Sequence, residues 1–215
     1  PVVSGNVSLY NETQGQAILP TPAIGGVGLV TDLARRAHVA FGAEGEAIVL
    51  LGETRGHLGQ SLYRRELLGA EDGPPPPVDL AAERRIGDFV RGLIEAGEVT
   101  VCHDLSDGGL AVAVAEMALA GGIGARIEVP AETAVPHAWL FGEDQGRYLV
   151  QVAPEAAADL VARAGAAGVR ARIIGVTGGD ALTLGGGRNI SLEELRRVHE
   201  GWLPGLMEAD PSKAE

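Results

Sequence analysis

The chain has 215 residues, enough for one large domain or for one domain and part of another. Apolar residues make up 46% of it and aromatic residues 4%, which predicts a folded core built mainly from aliphatic side chains. The formal net charge of −12 excludes a nucleic-acid backbone or an anionic membrane as a natural partner, because no basic stripe is available. An anionic nucleotide would need Mg²⁺ or local backbone N–H groups to offset the repulsion.

Cysteine usage and hydropathy indicate the compartment. Cys102 is the single cysteine, so no internal disulfide forms and a cytoplasmic location is expected. Its strand-like surroundings favour a buried small hydrophobe over a nucleophile. No apolar run reaches about 18 residues, and no leader pattern is present, so neither a transmembrane helix nor a signal peptide is predicted. Because the sequence opens on Pro1, without Met and directly in a motif, we expect a fragment of a longer protein.

Residues 4–13 form the most polar stretch near the start of the chain. Gly5 lets the backbone approach a ligand closely, because it has no Cβ. Asn6 offers a hard carbonyl oxygen that suits Mg²⁺, and Ser8 offers a hydroxyl for a phosphate or carboxylate. Strand alternation would place Asn6 and Ser8 on the face opposite Val7. The alternative is a polar turn before a hairpin, and the spacing favours the two interpretations about equally.

Residues 1–42 predict two strands joined by a polar turn at 11–16. The second strand, 17–30, is interrupted by Pro20 and Pro22, which predicts an edge, a bulge or a turn. Two strands alone cannot bury a core. We therefore expect residues 1–42 to be the end of an incomplete domain, and residues 43–215 to form a second one.

The continuous apolar run 46–52 predicts a strand that is buried on both faces. Residues 59–61 are either a phosphate loop or the N-cap of a helix over 60–68, and the N-cap is the favoured interpretation. A longer helix is predicted from its cap Asp79 to about residue 96, where a glycine follows.

A strand at 98–102 leads into the Gly-rich loop 103–109, which is followed at once by a helix over 110–120. A strand, a polar loop and a helix N-terminus in this order are typical of anion or metal sites. Two interpretations stay open: Asp104 and Asp107 hold Mg²⁺, or the polar side chains of the loop cap the helix.

The remaining chain predicts further strands and helices. The acidic pair Glu143–Asp144 with Arg147 is either catalytic or a turn with a surface ion pair, and the turn is the favoured interpretation. Residues 178–180 predict a hairpin turn. The strands are expected at 125–129, 148–152, 170–176 and 181–184, with helices from Pro154 to 167 and after the cap Ser191. The order of elements predicts an α+β fold, a mixed α/β/α sandwich and not a doubly wound sheet throughout.

Three separated stretches resemble phosphoribosylformylglycinamidine synthase, and most closely the synthetase subunit of its bacterial multi-subunit form. They are residues 1–12 with 19–25, 103–113 and 140–148. The resemblance runs over nearly the whole chain but covers only the C-terminal portion of the much longer family protein. It implies the fold of the aminoimidazole-ribonucleotide-synthetase superfamily, with a C-terminal-type domain preceded by strands of an incomplete N-terminal-type domain.

The resemblance also implies an ATP- and Mg²⁺-dependent ligase of purine biosynthesis. Such an enzyme converts formylglycinamide ribonucleotide, with glutamine-derived ammonia, to the amidine, ADP and phosphate. Its partners would be a glutaminase subunit, a small bridging subunit and the upstream half of its own chain. Position by position, Gly5 matches an ATP-contacting glycine, Asn6 a magnesium ligand and Ser8 a substrate-contacting serine. The catalytic histidine of the family lies upstream, so no catalytic residue is expected in this chain, and His103 is not a substitute.

Two alternatives remain beside this interpretation. One is another ATP-using member of the superfamily, such as a selenophosphate synthetase, a thiamine-phosphate kinase or a hydrogenase-maturation protein. The other is a non-catalytic structural half that docks against its own upstream half. Under the main interpretation the chain alone is expected not to catalyse the ligase reaction, because the upstream half of the site is missing.

Overall fold

A computed structural model describes residues 2–6, 11–18, 22–187 and 189–208. Contacts divide the chain into two compact units, Pro1–Thr31 and Asp32–Glu215.

The first unit contains a small antiparallel hairpin of β1 (Glu12–Thr13) and β2 (Gln16–Ala17). Both turn residues have positive φ, 52° at Gln14 and 79° at Gly15, as a tight two-residue hairpin turn requires. The sequence predicts a turn over 11–16, whereas the structure confines the turn to Gln14 and Gly15 and pairs residues on either side of it. The predicted second strand is shorter than expected, because residues 22–30 have no strand pairing in the described part of this unit.

The second unit alternates helices and strands. In chain order its elements are β3 (Ala47–Leu51), α1 (Leu62–Leu68), α2 (Leu80–Ala96), β4 (Val101–Asp104), α3 (Gly109–Gly121), β5 (Ala125–Ile127), α4 (Pro136–Phe141), β6 (Tyr148–Val152), α5 (Pro154–Ala166), β7 (Ala171–Thr177), β8 (Ala181–Leu184), β9 (Asn189–Ser191) and α6 (Leu192–Glu208).

Seven of these strands form one mixed sheet in the order β4-β6-β3-β7-β5-β8-β9. All neighbouring pairs are antiparallel except β5 and β8, which run parallel. The interior strand β3 is buried along its whole length, as its continuous apolar run predicts. Because side chains alternate along a strand, β3 supplies both faces of the sheet.

Helices cover both faces of this sheet. On one face Ile48 and Leu50 of β3 belong to a core with residues of α3, α4 and α6. On the other face Val49 and Leu51 belong to a second core with residues of α2 and α5. The predicted α+β fold, a mixed α/β/α sandwich, is therefore confirmed.

Several helices begin or end at the residues that the sequence predicts. The Asp79 side chain caps α2 by accepting the Ala82 amide at 3.0 Å, and Gly97 ends the helix with φ of 74°. Pro154 is the first residue of α5. The hydroxyl of Ser191 accepts the Glu194 amide at 3.1 Å in the first turn of α6.

Two predictions about strands are wrong. The strand expected at 98–102 begins at Val101, because the amides of Glu98 and Val99 both donate to the Leu93 carbonyl and finish α2. The strands β7 and β8 do not pair as a hairpin, because β5 lies between them. The Gly124 amide donates to the Gly179 carbonyl at 2.7 Å and so brings β5 into this gap.

Among the residues that the structure describes, no helix has both the length and the apolar character that crossing a bilayer requires.

Candidate functional site

Gly5 and Asn6 lie in an exposed segment without regular structure in the first unit. A Cβ built on Gly5 would meet no atom within 4 Å, so the backbone there is open to a close approach. Ser8, the third predicted ligand-binding residue, lies outside the described residues, as do Val7 and Tyr10. The structure thus leaves Gly5 and Asn6 accessible, and the roles expected of all three residues stay predictions.

The other motif residues meet at one end of the large sheet. One loop follows β3 and covers 52–61, a second follows β4 and covers 104–109, and a third precedes β6 and covers 142–147. Because β6 runs antiparallel to both β3 and β4, the three loops share the same end of the sheet.

Asp144 joins the third loop to the first. Its carboxylate accepts the backbone amides of Arg55 at 3.0 Å, Gly56 at 2.8 Å and His57 at 3.4 Å. The residue is 7% exposed, and its polar atoms replace the water that these amides would otherwise bind. It is therefore a buried structural acceptor.

Glu143 joins the third loop to two helix N-termini. One of its oxygens, Oε1, accepts the Leu62 amide at the start of α1 and the Gly108 amide before α3, both at 2.8 Å. A carboxylate at a helix N-terminus satisfies free amides and complements the helix dipole. Glu143 thus supplies the cap of α3, whose own N-cap residue Gly108 has no side chain to do so.

Arg147 is 1% exposed, and its guanidinium donates hydrogen bonds to the loop after β3 and to the loop before β6. Its guanidinium bonds the Gly142 carbonyl, the Asp144 carbonyl at 3.0 Å and the Thr54 hydroxyl at 3.3 Å. Burial lowers the pKa of this guanidinium, and the nearby Asp144 and Glu143 oppose that shift. We call Glu143, Asp144 and Arg147 the clasp. The predicted surface ion pair is wrong, because these three residues hold buried backbone groups instead.

The side chains of the loop at 104–109 do not cap α3, and the binding of Mg²⁺ by Asp104 and Asp107 stays a prediction. The Ser106 hydroxyl donates to the Asp104 carboxylate at 2.7 Å and does not cap α3. Asp107 is exposed. His103 contacts Glu116 at 2.9 Å on α3 and Asp104 at 3.4 Å. Within the described ranges, no three metal-ligating side chains lie together in a group that could hold an ion.

A cleft of about 460 Å³ opens beside this loop. Burial raises the pKa of the Tyr148 phenol at its edge, and the negative charges of Asp104 and Glu83 raise it further. Four carboxylates line the cleft, so its potential disfavours a free nucleotide phosphate. They belong to Glu83, Asp104, Asp107 and Glu143.

Residues 59–61 are a helix cap and not a phosphate loop. The Ser61 hydroxyl accepts the Arg64 amide at 3.4 Å and donates to the Leu58 carbonyl at 2.7 Å. Ser61 is buried, so its hydroxyl is already committed within the fold. The N-cap that the sequence favoured is therefore confirmed.

Cys102 is partly buried on β4. Burial raises the pKa of its thiol to about 12, and the charge of Asp104 adds to the shift. The thiol thus stays protonated near neutral pH, which agrees with the packing role predicted from the sequence.

The family of the chain is decided by a comparison with protein families. Residues 43–185 match the family described as "AIR synthase related protein, C-terminal domain". The chain belongs to this family. The match spans the large sheet from β3 through β8, together with the clasp and the loop at 104–109.

Two curated relatives are similar to almost all of this AIR synthase related chain. The Phosphoribosylformylglycinamidine synthase subunit PurL of Parvibaculum lavamentivorans is 61% identical over 212 residues, which is 97% of this chain. The subunit of the same name from Bradyrhizobium sp. is 60% identical over 207 residues, or 96%. In both cases the chain covers 28% of the relative's length.

Solved structures show the same fold at low identity. Thermotoga maritima PurL complexed with FGAR superposes with a TM-score of 0.64 at 20% identity, covering 76% of this chain and 30% of that chain. T. maritima PurL complexed with ATP superposes with a TM-score of 0.58 at 20% identity, covering 74% of this chain and 27% of that chain. The structure of PurLQS from T. maritima gives 0.56 at 20% identity, with the same coverage.

Proposed function

We propose that the chain is part of the synthetase subunit of a phosphoribosylformylglycinamidine synthase. The complete subunit would convert formylglycinamide ribonucleotide, ATP and ammonia to the amidine, ADP and phosphate. The observation that carries the proposal is the 60–61% identity to two subunits of that name, over 96–97% of this chain. Two of the similar solved structures are PurL complexed with FGAR and PurL complexed with ATP, which supports this choice of substrates.

The proposed ligand contacts lie in the first unit. Gly5 would let the backbone approach ATP, Asn6 would give one oxygen to Mg²⁺, and Ser8 would donate its hydroxyl to the substrate. The residues present fit the metal as contributors and not as a complete site. A magnesium ion takes about six oxygen ligands, several of them usually from water and phosphate, and Asn6 would supply one of them.

The resemblance places the catalytic histidine and the acidic metal ligands upstream of this chain, so the two halves of the subunit would have different roles. A bound Mg²⁺ would offset the phosphate charge as the phosphoryl group moves. This chain would help to hold metal, ATP and substrate in position, while upstream residues would supply the catalytic groups and the other metal ligands. We therefore propose that the chain alone does not catalyse the reaction.

The proposal includes the organisation of the whole protein. Residues 1–42 would complete an N-terminal-type domain that holds the ATP and substrate site, and residues 43–215 would form the C-terminal-type domain. A glutaminase subunit would deliver the ammonia, a small bridging subunit would complete the complex, and the assembly would work in the cytoplasm. The likeness of this fold to part of the T. maritima PurLQS structure supports an assembly of this kind.

Calorimetric titration with Mg-ATP tests the ligand contacts. If the upstream half is added as a separate polypeptide, we expect binding and release of ADP with formylglycinamide ribonucleotide and ammonia. Asn6→Ala should weaken Mg-ATP binding at least tenfold. Asn11→Ala is the matched control, because it removes the same side chain from an exposed position in the same unit. Equal binding by both variants would contradict the role of Asn6, and ADP release by the chain alone would contradict its inactivity.

A non-catalytic structural half is the second candidate. It is favoured by the large apolar side chains that the first unit exposes, among them Ile24, Val27 and Leu29. In this case the reconstituted subunit would turn over equally fast with Asn6→Ala and with Ser8→Ala, while its assembly would still require this chain.

A further inference from the structure

Gln60 has a backbone conformation that glutamine rarely adopts. Its φ is +57°, in the left-handed region that disfavours every side chain with a Cβ. Gln14 has a similar φ of 52°, but there the two-residue hairpin turn requires it. Gln60 lies just before the N-cap of α1, where no hairpin imposes the conformation. Such a residue keeps its conformation only where its surroundings hold it there.

The surroundings that hold Gln60 belong to the segment after α1. Its side-chain nitrogen Nε2 donates to the Glu71 carbonyl at 2.9 Å and to the Gly73 carbonyl at 3.0 Å. Its backbone amide donates to the carbonyl of Asp72 at 3.4 Å. The disfavoured conformation therefore directs the three donors of Gln60 at three successive carbonyls.

We call residues 71–77 the strap. Its last four residues, 74–77, are prolines, which form a stiff rod about 12 Å long. The strap contributes no residue to either hydrophobic core, and each of its residues except Pro76 is exposed. A segment that is attached by exposed hydrogen bonds, without buried apolar contacts, opens locally while the rest of the fold stays closed.

Two other side chains of the preceding segment hold the strap. His57 Nε2 donates to the Pro74 carbonyl at 2.9 Å, and Arg64 pairs with the carboxylate of Asp72. The strap also lies directly on the backbone of Gly59, where a Cβ would collide with the Pro74 carbonyl oxygen.

The strap lines the cleft of about 460 Å³ beside the loop at 104–109, through Pro75 and Pro76. Gly69 and Gly73 have positive φ, 60° and 93°, and glycine rotates with little steric hindrance. The rod of prolines can therefore swing as one piece about these glycines.

We propose that the strap is a hinged lid on this cleft and that Gln60 is the residue that latches it closed. The inference goes beyond the proposed function and does not depend on it.

Gln60→Gly separates a latch from an ordinary turn residue. Glycine adopts a φ of +57° without strain, so a residue that only forms the turn should be replaced with no loss of order in the strap. A latch should behave in the opposite way, because the substitution removes both side-chain hydrogen bonds. Gln14→Gly is the matched control, since it makes the same change at a similar φ in the hairpin.

Native-state proteolysis measures how often the strap opens. A glutamate-specific protease cuts after Glu71, at the carbonyl that Gln60 holds, and after Glu116 in α3, where cutting requires the whole unit to unfold. We expect Gln60→Gly to be cut after Glu71 at least tenfold faster than the unchanged chain, and after Glu116 within threefold. Gln14→Gly should change neither rate by more than twofold.

Three results would overturn the proposal. Equal or slower cutting after Glu71 in Gln60→Gly would show that this residue is no latch. Equal acceleration after Glu71 and Glu116 would show that the whole unit opens instead of the strap. Equal acceleration by Gln14→Gly would show that the effect is not specific to the strap.

Spin labels at Glu71→Cys and Asp107→Cys test the movement itself, because residue 71 lies on the strap and Asp107 lines the cleft. Cys102 takes up little label, since burial raises the pKa of its thiol to about 12. We expect one narrow distance between the labels when Gln60 is present, and a second, longer distance after Gln60→Gly. The same single distance in both backgrounds would overturn the lid. Neither readout requires turnover, so both stand apart from any test of the proposed reaction.

Discussion

Replacing Asp144 by alanine should destabilise the second unit more than any change of an exposed acid. The substitution removes the acceptor for three backbone amides, those of Arg55, Gly56 and His57. A buried donor left without its partner costs about 1–3 kcal/mol. The His57 bond is long at 3.4 Å, and these amides are only partly buried. We therefore expect a loss of about 2–4 kcal/mol in the free energy of unfolding.

Asp144→Asn separates the geometry of this residue from its charge. The amides of Arg55 and Gly56 both donate to the same oxygen, Oδ2. An asparagine can keep its carbonyl oxygen at that point, but it loses the negative charge that strengthens both bonds. We expect Asp144→Asn to lower the free energy of unfolding by about 1–2 kcal/mol, less than Asp144→Ala does.

Urea unfolding, followed by circular dichroism, measures these differences. Asp107→Ala is the matched control, because Asp107 is an exposed acid at the same end of the sheet, and a surface change of this kind stays within about 0.5 kcal/mol. The m-value should be unchanged, so that the midpoint reports stability. If Asp144→Ala has the same urea midpoint as Asp107→Ala, or if Asp144→Asn has the same midpoint as Asp144→Ala, then the three amides do not depend on this carboxylate.

Three further predictions concern backbone space, pH and thiol reactivity. Gly109→Ala should lower the free energy of unfolding by about 3 kcal/mol or more, because φ is +67° and a Cβ would collide with the backbone at the C-terminus of α4. Gly122→Ala is the control: Gly122 has the same φ but open space around it, so the loss in the same urea assay should be about 1 kcal/mol. The hydrogen bond from Arg163 lowers the pKa of Glu98, so the pair should contribute, at its exposed position, no more than about 1 kcal/mol above pH 5. This contribution is lost as the pH falls through the lowered pKa of Glu98, so the stability difference between wild type and Glu98→Gln should shrink as the pH falls below the ordinary glutamate pKa. A difference that stays constant in acid would refute the ion pair. At pH 8 the Cys102 thiol should react with a disulfide reagent at least tenfold more slowly in the folded chain than in urea, because burial raises its pKa to about 12; equal rates would show that the thiol is not buried.

Local patterns in the sequence were enough to predict five of the six helices, several of their ends and the buried strand β3, but not the short helix α4. Asp79 and Gly97 define α2, because one accepts amides at the start and the other adopts positive φ at the end. The apolar run in β3 requires cover on both faces, which predicts the two helical layers. Each of these features depends on neighbours within a few residues, so a single sequence contains the necessary information.

The pairing of strands could not be predicted in this way. Residues 178–180 have the composition of a hairpin turn, yet β5 enters between the two flanking strands. The choice depends on Gly124, more than 50 residues upstream, whose backbone bonds both Gly178 and Gly179. Competition between local and distant hydrogen bonds is decided by the whole sheet and not by the turn.

The sequence by itself determined the family resemblance, the sandwich class and the candidate ligand contacts at Gly5, Asn6 and Ser8. The tertiary structure alone decided the role of the clasp. In the sequence Glu143, Asp144 and Arg147 resemble an exposed turn, because polar residues between a helix and a strand are usually solvated. The backbone amides that donate to the two carboxylates lie at Arg55–His57, Leu62 and Gly108, which only the folded sheet brings to the same end. A buried charge is retained where backbone groups from several loops need a common partner, and that need becomes visible only when the loops meet.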